Sequence, residues 1–208
     1  MSGRLGRVTA NDGSAQGVVW RIRLRHAAIA YAQHGWAVRA GARLCGDRFS
    51  CGPGCTTVGP HPVPQRWGKA ATTDPAFIAA LWHHTPYSVL LTTGEAFDVI
   101  DVPRHIGLAA AGLPRGPVAV SPGGRWMFLV RPGASLLPEL ARDFAVVLHT
   151  RGSWIPAPPM RTPAGQVRWA VAPHESGWQV PDSAPVQRAL IRALPHGRRA
   201  DLSTHQAA

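Results

Sequence analysis

The segment Leu44 to His61, LCGDRFSCGPGCTTVGPH, gathers every cysteine of the chain and ends on a histidine. Its spacing is Cys45-x5-Cys51-x3-Cys55-x5-His61. Three thiols and an imidazole are the donor set of a tetrahedral structural zinc site. Between them lie Gly46, Gly52, Pro53, Gly54, Gly59 and Pro60, which let a short backbone fold back on itself but leave little apolar surface to bury. Such a loop takes its order from bound metal rather than from a core. A zinc knuckle over residues 44–62 is therefore expected, with Cys45, Cys51, Cys55 and His61 as ligands. The competing reading is a mobile loop with free thiols. A disulfide is disfavoured, because three cysteines cannot all pair and no secretion signal places them in an oxidising compartment.

A chain of 208 residues, 45% of them hydrophobic, is long enough for one domain with a sizeable core. The opening MSGRLGRVTANDGSAQG lacks the apolar stretch of a signal peptide, and no run approaches a membrane span. A cytoplasmic protein with no membrane partner is the expectation. Net charge is +11, and Lys69 is the only lysine among 22 basic residues. Guanidinium forks suit phosphate, so a nucleic acid or nucleotide is the natural partner. The same arginine bias also fits a GC-rich coding sequence, and the basic residues are scattered apart from Arg21, Arg23, Arg25 and the pair Arg198 and Arg199.

Periodicity predicts an α+β domain over 18–194, with a mixed or mostly antiparallel sheet and flanking helices, a flexible arm at 1–17 and a disordered tail at 195–208. Helices are expected over 20–34, from the Thr73-Asp74-Pro75 cap to about His84, over 104–112, over 136–143 and over 184–194. Strands are expected at 36–40, 87–92, 97–102, 118–120, 125–130, 144–149, 154–157 and 166–171, with Ser121-Pro-Gly-Gly124 as a hairpin turn. His83 and His84 point in different directions at a helix end and are not read as a metal pair. Neither a Walker loop nor a dinucleotide fingerprint is present.

Six segments in order carry a resemblance. They are HAAIAYAQHGWAV at 26–38, the cysteine loop, KAATTDPAFIAALW at 69–82, LLTTGEAFDVIDVP at 90–103, SPGGRWMFLV at 121–130 and IPAPPM at 155–160. Together, over about Arg25 to Ala172, they resemble the N-terminal prim-pol domain of bifunctional DNA primase/polymerases, in the archaeo-eukaryotic primase superfamily, and look most like its short stand-alone actinobacterial members. The resemblance implies an α+β catalytic core, often with a zinc-binding element, and nucleotidyl transfer by two divalent metals. Such metals must be bridged and charge-balanced by several carboxylates.

In that family two acids two residues apart share one strand face, a third comes from a later strand, and a histidine after a Gly-Gly turn contacts nucleotide phosphates. Here Asp101 matches the first acid, but Pro103 stands at the second position and Trp126 at the histidine. No carboxylate lies near Val147, where His149 is the nearest polar side chain, and Met160 replaces the usual serine after Ala-Pro-Pro. Asp98, three residues from Asp101 on a strand, faces the other way. The resemblance thus implies a catalytically degenerate member that binds nucleic acid or nucleotide, with Asp101 a remnant of the metal-binding acids. Arg104, Arg125, Arg131 and Lys69 are the candidate phosphate contacts, and Trp126 is read as core. Two alternatives stand beside it: an active primase/polymerase using Mg2+ or Mn2+, and a regulatory scaffold for a protein partner such as another replication protein.

Overall fold

The structure is a computed structural model that describes residues 15–64, 71–110 and 116–194. In chain order the elements are α1 (Ala15–Gln33), β1 (Val38–Gly41), β2 (Arg43–Cys45), β3 (Arg48–Ser50), α2 (Pro75–His84), β4 (Ser88–Thr92), β5 (Asp98–Pro103), α3 (Arg104–Ala110), β6 (Val118–Val120) and β7 (Arg125–Val130). They continue with α4 (Pro138–Ala141), β8 (Val147–His149), β9 (Trp154–Pro156), β10 (Arg161–Thr162), β11 (Gly165–Gln166), β12 (Arg168–Val171) and α5 (Ser183–Arg192). The expected α+β class with antiparallel strands and flanking helices is present. No helix among the described residues is long and apolar enough to cross a membrane.

The described residues fall into two compact units, one of those within 15–91 and 156–167 and the other of those within 92–155 and 168–194; the expected flexible arm at 1–14 and tail at 195–208 lie outside the described residues. In the first, α1 buries Leu24, Ala28, Tyr31 and Ala32, a stripe at helical spacing. Among the described residues the helix runs from Ala15, ahead of the expected start at Trp20, so residues 15–17 of the expected arm are helical. Strands β1 and β4 pair antiparallel from Val38↔Leu91 to Gly41↔Ser88. Helix α2 starts as the cap signal requires: Asp74 Oδ1 accepts from the Ala76 N–H at 2.9 Å and the Phe77 N–H at 3.2 Å, with Pro75 in the first turn. The hairpins β2–β3 and β10–β11 were not expected from the pattern.

The second unit is built on a five-stranded sheet of order β12-β6-β7-β5-β8, every neighbouring pair antiparallel. Alternation along β5 and β7 sorts the side chains. Ile100, Val102, Trp126, Phe128 and Val130 enter one core with Ile106 and Ala110 of α3, Leu140 of α4 and Val186 and Leu190 of α5. Asp101 lies on the opposite parity, across from Met127 of β7 and Val147 of β8. The loop before β5 needs Gly94, at φ +96°, because a Cβ there would fall 2.2 Å from the Cα of Arg151.

Trp126 is core, as expected: it is 7% exposed and stacks on Phe128 with ring centroids 6.4 Å apart. Gly107 of α3 makes room for it, since a Cβ at that position would sit 2.2 Å from the indole Cγ and 2.4 Å from the Trp126 Cβ. Gly107→Ala gains about 1 kcal/mol of helix propensity but drives a methyl into a close-packed ring, an overpacking cost of roughly 1–3 kcal/mol. The clash includes a near-backbone atom that cannot rotate away, so the steric cost wins. Urea unfolding of Gly107→Ala is expected to show lower stability than the parent; an unchanged or higher midpoint would contradict this packing.

Candidate functional site

Two side-chain constellations have chemical content, one in each unit. The first is the cysteine loop. Hairpin β2–β3 pairs Leu44 with Phe49 and Cys45 with Arg48 around the Gly46-Asp47 turn, and Phe49 is buried. The far end of the loop is tied to the edge of β1: the Ala42 N–H donates to the His61 carbonyl at 2.7 Å, and the Val63 N–H to the Ala40 carbonyl at 3.0 Å. Between these anchors Cys51, Cys55 and His61 converge, their donor atoms all within 4.8 Å of one another.

This trio fits a metal ion. Cys55 Sγ lies 3.3 Å from His61 Nε2, close to the ligand-to-ligand edge of about 3.5 Å that zinc–sulfur and zinc–nitrogen bond lengths imply for a tetrahedron. His61 Nδ1 is 2.9 Å from the Gly59 carbonyl. A carbonyl can only accept, so Nδ1 carries the proton and Nε2 keeps its lone pair toward the thiols. The Cys55 thiol is lowered to about 7, first by a hydrogen bond from the Cys51 backbone, then by the Cys51 thiol and the Thr57 backbone, with desolvation opposing and the His61 ring contributing least. The Cys51 thiol is raised, chiefly by the hydrogen bond it shares with Cys55. One near-neutral thiolate beside a second thiol and an imidazole lone pair is a cation-binding arrangement. Cys45, the fourth expected ligand, stands outside this group, exposed on β2.

The second constellation centres on Asp101, whose side chain is 14% exposed. Arg125 faces Pro103 across the β5–β7 ladder, one step along the same face as Asp101. From there its Nε donates to Asp101 Oδ1 at 2.9 Å, and its Nη2 donates to the carbonyls of Asp101 at 3.1 Å and Ala145 at 2.8 Å. His149 of β8 approaches from the other side, with Nε2 3.5 Å from Asp101 Oδ2 and Nδ1 2.9 Å from Ser153 Oγ. Arg125 thus holds Oδ1 while His149 lies beside Oδ2, in a row running Ser153, His149, Asp101, Arg125.

Among the described residues, no metal-type group of three or more His, Cys, Asp or Glu side chains includes Asp101. Asp98 lies on the other parity of β5, 1% exposed, where its Oδ2 accepts the Gly133 and Ala134 N–H groups at 2.8 and 3.2 Å. Glu95 pairs with Arg151 at the surface, and Asp143 Oδ1 accepts the Ala145 N–H.

The expected phosphate contacts do not form one cluster. Arg125 is committed to Asp101 and two carbonyls. Arg131 stands past the opposite end of β7, in an exposed ion pair with Asp182 at 3.2 Å, so it does not flank Asp101. Arg104 is exposed at the start of α3, beside Gly124. Lys69 lies outside the described residues. Pattern reading missed the Arg125–Asp101–His149 row. Its signal was available only through strand register, because Arg125 and His149 meet Asp101 from two different neighbouring strands.

An all-antiparallel sheet with Asp101 on one face of an inner strand and short helices packed on the other defines an α+β domain. The chain belongs to the Prim-Pol family: its sequence matches the bifunctional DNA primase/polymerase N-terminal domain over residues 28–187. No curated protein and no solved structure matches it.

Protein purified without added metal is expected to carry about one metal ion per chain if the three donors act as one site. Elemental analysis should find that ion lost in Cys51→Ser and His61→Ala and retained more fully in Cys45→Ser. Full metal content in Cys51→Ser would rule the trio out.

Proposed function

We propose that this Prim-Pol domain is a catalytically degenerate member that binds nucleic acid or nucleotide without transferring nucleotidyl groups, its cysteine loop ordered by structural zinc. The observation that carries the first part is the 2.9 Å ion pair that Arg125 makes with Asp101, with His149 3.5 Å from the other carboxylate oxygen. Two-metal transfer needs converging carboxylates that bridge and neutralise two cations. Here a guanidinium already neutralises the one carboxylate present. It would repel an incoming cation by roughly 4 kcal/mol per unit charge at about 4 Å under near-surface screening. Pro103, across from Arg125, supplies no ligand.

The binding part is supported by family membership and by the net charge of +11. Zinc is favoured for the loop because thiolate and imidazole are its preferred donors; Cys51, Cys55 and His61 would hold it, and it would supply cross-linking of a segment with little core. A second reading, an active primase/polymerase dependent on Mg2+ or Mn2+, draws on the same family membership.

Primer extension and de novo priming with deoxynucleotides and either Mg2+ or Mn2+ separate the two. The proposal predicts no product above background, together with retention on nucleic acid at low salt that falls as salt is raised. Templated product abolished by Asp101→Ala would establish the active reading. Absence of nucleic-acid and nucleotide binding at low salt would leave a protein-interaction scaffold instead.

A further inference from the structure

Helix α1 carries a second apolar stripe that neither the Asp101 row nor the metal loop uses. Val18, Val19 and Ile22 are 48%, 56% and 48% exposed, and Ala15 is exposed beside them. Positions 15, 18, 19 and 22 fall at i, i+3, i+4 and i+7, so at 3.6 residues per turn they form one stripe about 100° wide. An amphipathic helix ordinarily buries a stripe of that width. The core face of α1 is a different one, made by Leu24, Ala28, Tyr31 and Ala32.

Basic residues border the stripe. Around the helix Arg23 follows Val19 on one flank, and Arg25 precedes Val18 on the other. On the Arg23 side lies a groove of 440 Å³ lined by Ala15, Gln16, Val19, Trp20, Arg23 and Arg161. The Arg161 guanidinium carbon stands 3.7 Å over the Trp20 ring centroid and that of Arg23 lies 5.7 Å from it. The indole is thereby covered and serves as a mount for the two cations: a cation–π contact uses the ring face but leaves the guanidinium N–H donors available. Both arginines are exposed. Among the described residues neither is in an ion pair, and α1 contains three arginines and no carboxylate.

We infer that this stripe and groove dock an acidic amphipathic helix of a partner protein, its apolar side chains packed on Val18, Val19 and Ile22 and its carboxylates paired with Arg23 and Arg161. Spacing selects the form of the occupant, because an i, i+3, i+4, i+7 seam is the surface on which a second helix packs. Charge selects its sign. The ends of this chain do not match: residues 1–14 and 195–208 each carry two arginines against one aspartate. A second copy would set the arginines of α1 against themselves across a self-complementary contact. A nucleic acid would satisfy the arginines but leave the apolar stripe in water. The inference does not depend on the nucleic-acid reading above.

The test is selection from a displayed random library of peptides of about 14 residues, four helical turns, on the full chain, followed by fluorescence anisotropy of the enriched peptides. They are expected to carry large apolar residues at i, i+3 and i+4 spacing with Asp or Glu beside them, and to gain helical circular dichroism on binding. Ile22→Ser should weaken them about fivefold, for loss of one half-exposed apolar contact. Arg23→Glu combined with Arg161→Glu should weaken them about tenfold and bind counterparts in which Lys replaces Asp and Glu. That exchange of preference distinguishes a changed surface from a lost fold. Failure to enrich this pattern, or enriched peptides that bind both variants as well as the parent, overturns the inference. Dimerisation in sedimentation equilibrium that Ile22→Ser abolishes would overturn it in favour of a second copy. Oligothymidylate binding lost in the double variant, with no peptide enriched, would overturn it in favour of nucleic acid.

Discussion

The contact on which the functional account turns is the one between Arg125 and Asp101. It is a product of sheet geometry: Arg125 projects from β7 on the same face as Asp101 of β5 and reaches one step along the ladder. The guanidinium spends its donors on the Asp101 carboxylate and on two backbone carbonyls. A buried or half-buried carboxylate without partners is costly, and ionised partners offset that cost. The same partners remove what a metal ion would need. In a family whose chemistry calls for a surplus of negative charge at one point, this sheet places one carboxylate there and surrounds it with an arginine and a histidine.

The opposite face of the same strands packs independently of the Asp101 site. Ile100, Val102, Trp126 and Phe128 make the core with three helices, and none of that packing involves Asp101. Stability and site chemistry are therefore carried by alternate residues of one strand. Asp98 belongs with the structural set: buried, it terminates the loop after β7 by accepting two backbone N–H groups. The cysteine loop follows another logic, in which glycine and proline make the turns and three side chains converge between hairpin and edge-strand bonds.

Much of this was legible in the sequence where the signal is local. The Asp74-Pro75 cap, the Ser121 to Gly124 turn and the opposed parity of Asp98 and Asp101 all follow from short-range rules and are present in the structure. Cys45, Cys51, Cys55 and His61 were named from donor chemistry alone, and the last three converge while Cys45 does not. What was not legible depends on register or on distant segments. Arg125 looked like a phosphate contact until its neighbour across the ladder was known. His149 looked merely polar until β8 placed it against β5. The β2–β3 hairpin was hidden because Gly46-Asp47 was read as part of an irregular loop, and β10–β11 because each strand has only two residues. Trp20 read as the first residue of a helix; that it meets Arg161 of a hairpin far along the chain is a tertiary fact.

The most direct test of the central claim is whether a divalent cation occupies the Asp101 site. Mn2+ is the suitable probe, followed by electron paramagnetic resonance in titrations of the wild type, Asp101→Asn and Arg125→Ala after the cysteine loop has been loaded with zinc. The account predicts that wild type and Asp101→Asn bind Mn2+ alike and weakly, because the carboxylate is already neutralised by Arg125. Specific Mn2+ binding by the wild type that disappears in Asp101→Asn would contradict it and return the domain to the catalytic members of its family.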